Sequence, residues 1–129
     1  MKATQKARHG RRILVAYDGS PSARRALNSA AAFYGEGLAL GLIHVSENGD
    51  PDDGHLEAVR RSLASRGIES EIVPGSGSAA QAICVAAERH GYDVIVIGRR
   101  NLRDAGRLLL GSVSARVVAG ASCDVVVVA

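Results

Sequence analysis

The succession of elements along this chain predicts an α/β fold, an open sheet of five parallel strands with helices on both faces. Three observations carry that expectation. Short β-branched runs alternate with helix-period segments from about residue 13 to the last valines, the order of successive βαβ units. Most runs are continuously apolar rather than alternating, as strands covered on both faces must be. Aromatic residues make up only 3% of the 129 residues against 47% hydrophobic. The core is therefore built from Val, Leu, Ile and Ala, a composition suited to alanine-rich helices packed on a parallel sheet.

Each element has its own signal. Residues 13–17 (ILVAY) read as the first strand. Ser20 is a helix N-cap, with Pro21 preset for the first helical position. Ala23, Ala26, Leu27, Ala30 and Tyr34 then fall on one helix face, until Glu36-Gly37 ends it. Residues 38–45 form a buried strand, and 46–54 (SENGDPDDG) a polar loop. A second helix spans 55–66 with Leu56, Val59 and Leu63 inward. Residues 68–73 mix apolar and charged side chains, as a half-exposed edge strand does. Ala80, Ile83, Cys84 and Ala87 mark a third helix, 94–97 a fourth strand, 112–119 the last helix and 125–128 the last strand. No internal repeat or low-complexity segment interrupts the pattern.

A chain of this length supports one domain with a real core. The division expected is a basic, flexible N-terminal tail over 1–11 and a single domain over 12–129. Lys2, Lys6, Arg8, Arg11 and Arg12 precede the first strand; the remaining 11 basic residues face 13 acidic ones, a net of −2. The formal charge of +3 thus belongs to the tail. A nucleic-acid surface would need clustered cations with stacking aromatics on the folded body, and none is visible. No apolar run suits a signal peptide or a membrane span, so a cytoplasmic location without membrane association is expected. Cys84 and Cys123 form no CxxC pair and are expected as buried free thiols.

The most informative stretch is residues 94–113, VIVIGRRNLRDAGRLLLGSV. A strand ends at Gly98, a basic loop carries Arg99, Arg100, Arg103 and Arg107, and Gly111-Ser112 opens a helix. Free amides and aligned peptide dipoles at a helix start favour a phosphate. In open parallel sheets ligands bind beyond the carboxyl ends of strands where the strand order reverses. If strands one and four meet there, Asp18 faces the Gly98 loop.

These segments resemble the universal stress protein family. The likeness is carried by ILVAYDGSPSARRAL near the start, LIHVSE after the second strand and IGRR…RLLLGSVSARVV near the end. ATP-binding members of the family carry Gly, two residues, Gly, nine residues, then Gly-Ser or Gly-Thr. Here Gly98, Gly111 and Ser112 keep that spacing, and Asn101 replaces the second glycine. The resemblance implies a Rossmann-like fold of the adenine nucleotide alpha hydrolase type that binds ATP or a related adenine nucleotide, with Mg²⁺ held through the phosphates. By position, Ala16 and Asp18 would lie beside the nucleoside and Val45 would meet adenine through its backbone. Ile97, Gly98, Arg100, Asn101 and Arg103 would wrap the phosphates, and Gly111, Ser112 and Val113 would close around ribose and phosphate. The resemblance also implies a homodimer through the C-terminal strand and a role as a stress-response sensor or regulator of an unknown protein partner.

Asn is the next residue after glycine to tolerate positive φ, so Asn101 preserves the loop if conformation alone is required there. If backbone must touch phosphate, its side chain intrudes. Two other readings follow: a nucleotide-free dimeric interaction module that has lost binding through Asn101, and a slow nucleotide hydrolase. No catalytic base is identifiable, so at most weak ATPase activity or self-phosphorylation is expected. Gly75-Ser76-Gly77-Ser78-Ala79-Ala80 imitates a dinucleotide fingerprint, but the acid about 20 residues on, Asp93, lies at the start of a strand; the segment reads as a flexible turn with a helix cap. No GxxxxGK[ST] occurs, and His9, His44, His55 and His90 lack metal-ligand spacing.

Overall fold

The computed structural model describes residues 11–33, 39–45, 54–75, 77–99 and 112–129. Their elements, in order, are β1 (Arg12–Tyr17), α1 (Pro21–Phe33), β2 (Ala39–His44), α2 (His55–Ser65), β3 (Ser70–Ile72), α3 (Ala79–Arg89), β4 (Val94–Gly98), α4 (Ser112–Gly120) and β5 (Asp124–Val128). All strand pairings are parallel, in the order β3-β2-β1-β4-β5. The strand order reverses between β1 and β4, which are hydrogen-bonded neighbours. The expectations for residues 1–10, for Tyr34 and Glu36-Gly37, and for loop positions 46–53 lie outside the described residues.

Strand alternation divides the core in two. Ile13, Val15, Tyr17 and Val96 pack with Ala26, Leu27 and Ala30 of α1 and with Leu56 and Leu63 of α2. Leu14, Ala16, Ile95 and Ile97 face the other way, onto Ala80, Ile83 and Ala87 of α3 and Val113 and Val117 of α4. Central strand residues such as Leu14, Val15, Leu42 and Ile95 are fully buried, each worth about 1.5–3 kcal/mol relative to exposure. The small Ala faces of α1 and α3 let helix axes approach the sheet closely, which is why so few aromatics suffice.

The first helix starts as its sequence dictates. The Ala23 N–H donates to Ser20 Oγ (3.2 Å), and the Ser20 N–H to Asp18 Oδ1 (2.9 Å). The start of α3 is a correction. Ser78 occupies the N-cap position in extended conformation, but its hydroxyl makes no capping hydrogen bond; the turn is instead set by Gly77, at φ +90°. The thiols are free, as expected, but half-buried rather than buried. Desolvation raises the pKa of both.

The edges are unequal. β3 is short and largely exposed, the half-exposed edge that its mixed sequence predicts. β5 forms the opposite edge with half-buried to exposed valines. At the amino ends of the strands, Tyr92 lies against Gly41, where a Cβ would fall 2.1 Å from the tyrosine hydroxyl. Tyr92 donates to Glu71, and the Arg12 guanidinium lies 4.6 Å over its ring.

Candidate functional site

The carboxyl ends of β1, β2 and β4 bring several sequence-predicted residues onto one face. Ala16 (3% exposed), Val45 (7%), Ile97 (5%) and Val113 (8%) all belong to the core cluster beneath α3 and α4. The register explains why. Ala16 pairs with Ile43, and Val15 with Val96 in the last β1–β4 pair, so Ala16 and Ile97 each follow that pair by one residue. The Val45 N–H donates to the Tyr17 carbonyl (3.0 Å), which carries β2 up to the level of Asp18. Asp18 stands two residues beyond Ala16 at the head of the β1–α1 turn, its carboxylate bracing that turn through the Ser20 amide. The result is an apolar floor with an acid at its rim.

The opposite strand ends differ in character. A groove of about 440 Å³ there is lined by Arg11, Tyr92, Asp93, Cys123 and Asp124. Its Arg11 guanidinium already pairs with Asp124 (3.5 Å), so that cation is spoken for within the chain.

Two glycines shape the rim of the floor. Gly19 adopts φ +85°, and a Cβ there would meet His55 Cε1 at 2.9 Å. The His55 ring stands edge-on to Tyr17 at 6.4 Å. Gly98 has a packing requirement of its own: a Cβ would lie 2.3 Å from the Ser22 carbonyl oxygen and 2.5 Å from its carbon. Only glycine lets the end of β4 pass under the first turn of α1. The sequence singles out Gly98 as the start of a phosphate loop, and this helix approach is an additional reason for it that no local pattern reveals.

The last helix runs back from the carboxyl ends of the strands, because a parallel β4–α4–β5 crossover requires it. Its amino terminus, at exposed Ser112, therefore stands at the same end of the sheet as Asp18, with Val113 anchoring it to the floor. Amides of such a terminus are oriented to receive an anion. The remaining candidates, Arg100, Asn101, Arg103 and Gly111, lie outside the described residues, as does Arg107.

Arg99 was legible only as one of four loop arginines. In the structure its Nε is buried without a hydrogen-bond partner. The signal available in sequence was its position two residues after Ile97, on the same side of the strand. Among the described residues no group of three His, Cys, Asp or Glu side chains is placed to hold a metal. No helix there is long and apolar enough to cross a membrane.

An open parallel sheet with its order reversal under a helix terminus, an apolar floor and an acid at the rim defines a Rossmann-like α/β domain. The family model for the universal stress protein family matches residues 10–129. The chain belongs to that family. It is 37% identical to a universal stress protein of Thermus aquaticus over 90% of this chain and 96% of the relative. Its fold superposes on a universal stress protein of Archaeoglobus fulgidus with a TM-score of 0.77 and 34% identity, over 91% of this chain and 44% of that one. It also matches a universal stress protein solved in complex with cAMP, at a TM-score of 0.63 and 25% identity, over 92% and 97% of the two chains.

Proposed function

We propose that this protein binds ATP, or a closely related adenine nucleotide, at the carboxyl ends of β1, β2 and β4 and uses occupancy of that site as a stress-response signal. The observation that carries the reading is the convergence of Ala16, Val45, Ile97 and Val113 on one face, with Asp18 at the rim. The relative solved with cAMP supports an adenine nucleotide as the ligand class. An apolar floor of this kind suits a purine ring. The Val45 N–H is already given to Tyr17, so the Val45 carbonyl is the atom assigned to the adenine amine. Asp18 accepts from ribose hydroxyls. Gly98, Arg100, Asn101, Arg103, Gly111 and Ser112 are assigned to the phosphates, with Val113 closing the ribose side. Mg²⁺ enters with the phosphates.

The working form in this proposal is a cytoplasmic homodimer joined through β5. That strand ends the sheet with a run of four valines and offers its outer backbone to a second copy. A partner chain then reads the nucleotide state. Titration calorimetry with ATP, AMP and cAMP in the presence of Mg²⁺ tests the nucleotide reading, with light scattering for the dimer. Saturable one-site heat with ATP supports it. A folded dimer that gives no heat with any of the three overturns it in favour of a nucleotide-free interaction module.

A further inference from the structure

We infer that Arg99 is a phosphate-binding residue of this site and makes it favour highly charged nucleoside polyphosphates over singly charged cyclic nucleotides. The inference rests on the nucleotide reading above and adds a specificity to it. Arg99 follows Gly98 directly, and its N–H donates to the Val128 carbonyl at 2.7 Å. The β4–β5 ladder therefore continues through it, and the side chain leaves the strand on the face of Ile97, the face of the apolar floor and of α4. Val15 and Val96 form the last β1–β4 pair, so Asp18 and Arg99 each lie three residues beyond it, at the carboxyl ends of adjacent strands.

Its guanidinium is unlike the others among the described residues. Arg11 pairs with Asp124, and Arg60 and Arg61 pair with Glu57. Arg25 donates to the Ala129 carbonyl. Arg24, Arg66, Arg89 and Arg116 are exposed to water. Arg12 shares a buried Nε with Arg99, but Arg12 also pairs with Glu71 and covers Tyr92. Arg99 has a buried, unbonded Nε and no carboxylate within ion-pair distance among the described residues.

A guanidinium N–H withdrawn from water without an acceptor is unfavourable unless a ligand supplies one. The guanidinium fork matches two oxygens of a phosphate, and a charge-assisted pair there is stronger than a neutral one. The Asp18 carboxylate, at the end of β1, accepts hydrogen bonds and repels phosphate, so ribose hydroxyls suit it. The two residues thus order a ligand: ribose over β1, phosphate over β4. ATP brings a much larger negative charge to Arg99 than cAMP, which carries one.

The test is calorimetry on the full chain and on Arg99→Gln, with ATP, AMP, cAMP and inorganic tripolyphosphate as probes and thermal melts to verify folding. The expected result is a loss of about 10- to 100-fold in ATP affinity for the variant, the range of charged hydrogen bonds. The cAMP affinity should change by less than about threefold, so the ATP-to-cAMP ratio collapses. Arg99→Lys should recover part of the loss, since charge returns without the fork. Equal ATP affinities in the parent and Arg99→Gln overturn the inference while leaving nucleotide binding intact. If no adenine nucleotide binds but tripolyphosphate does so in an Arg99-dependent way, the nucleotide reading fails and the phosphate role stands. A parent protein inert to all four probes overturns both.

Discussion

Replacing Gly98 by alanine should damage the fold itself, before any ligand is considered. The added methyl would sit 2.3 Å from the Ser22 carbonyl oxygen and 2.5 Å from its carbon. Ordinary contact begins at 3.4 Å, so about 1 Å of overlap must be relieved. The obstacle is backbone in the first turn of α1, where the Ser20 cap and the packing of Ala23 and Ala26 resist movement. Overpacking of a core usually costs 1–3 kcal/mol, and an unyielding neighbour puts this case near about 3 kcal/mol. For a domain of this size that is a fall of roughly 12 °C in Tm, at about 4 °C per kcal/mol. The comparison variant is Gly77→Ala. Its Cβ meets nothing within 4 Å, but its φ of +90° is unfavourable to alanine, a strain of about 1–2 kcal/mol. Urea and thermal unfolding of both ligand-free variants read the difference. A Gly98→Ala protein within about 2 °C of the parent would mean that α1 does not cross β4 at this distance.

Three further expectations follow from individual contacts. Ser20→Ala removes the acceptor for the Ala23 amide and should cost about 1 kcal/mol in urea denaturation; a neutral result would deny the cap. His44→Leu should stabilise, because both ring nitrogens are buried without partners at the end of β2. Removing an unsatisfied polar group there is worth about 1–2 kcal/mol, read as a higher Tm, and a lower Tm would contradict the reading. Burial, reinforced by the hydrogen bond to Glu71, raises the Tyr92 pKa above the usual tyrosine range. A phenol that resists ionisation in the folded state contributes stability fully below about pH 10, and that contribution is lost as pH rises towards the folded value. Ultraviolet titration should show a tyrosine in the parent that ionises only at higher pH or with unfolding, and that is missing in Tyr92→Phe.

The sheet was legible because local signals and global needs agree. The apolar runs of β1, β2 and β4 appear nearly in full, and the mixed sequence of β3 correctly marks an edge. The Ser20 cap was readable because a side-chain cap is a short-range bond. Residues 75–80 also read as a turn with a helix cap, yet Gly77 shapes that turn and the Ser78 hydroxyl makes no capping bond. The candidate site was legible in part. Asp18, Ala16 and Ile97 sit at strand ends that the order of elements already brought together. The tight crossing of Gly98 under Ser22 and the seat of Tyr92 on Gly41 both depend on residues far apart in the chain. Spacing alone carries no trace of such contacts.

The central claim is that an adenine nucleotide lies on the α3/α4 face at the carboxyl ends of β1, β2 and β4. Amide chemical shifts recorded while Mg-ATP is titrated into the labelled protein test this residue by residue. The account predicts saturable shifts at Ala16, Asp18, Val45, Ile97, Gly98, Arg99 and Val113, with Leu27, Leu56 and Leu63 on the other face unmoved. Still spectra at these seven amides at millimolar Mg-ATP, or shifts confined to the α1/α2 face, would contradict it.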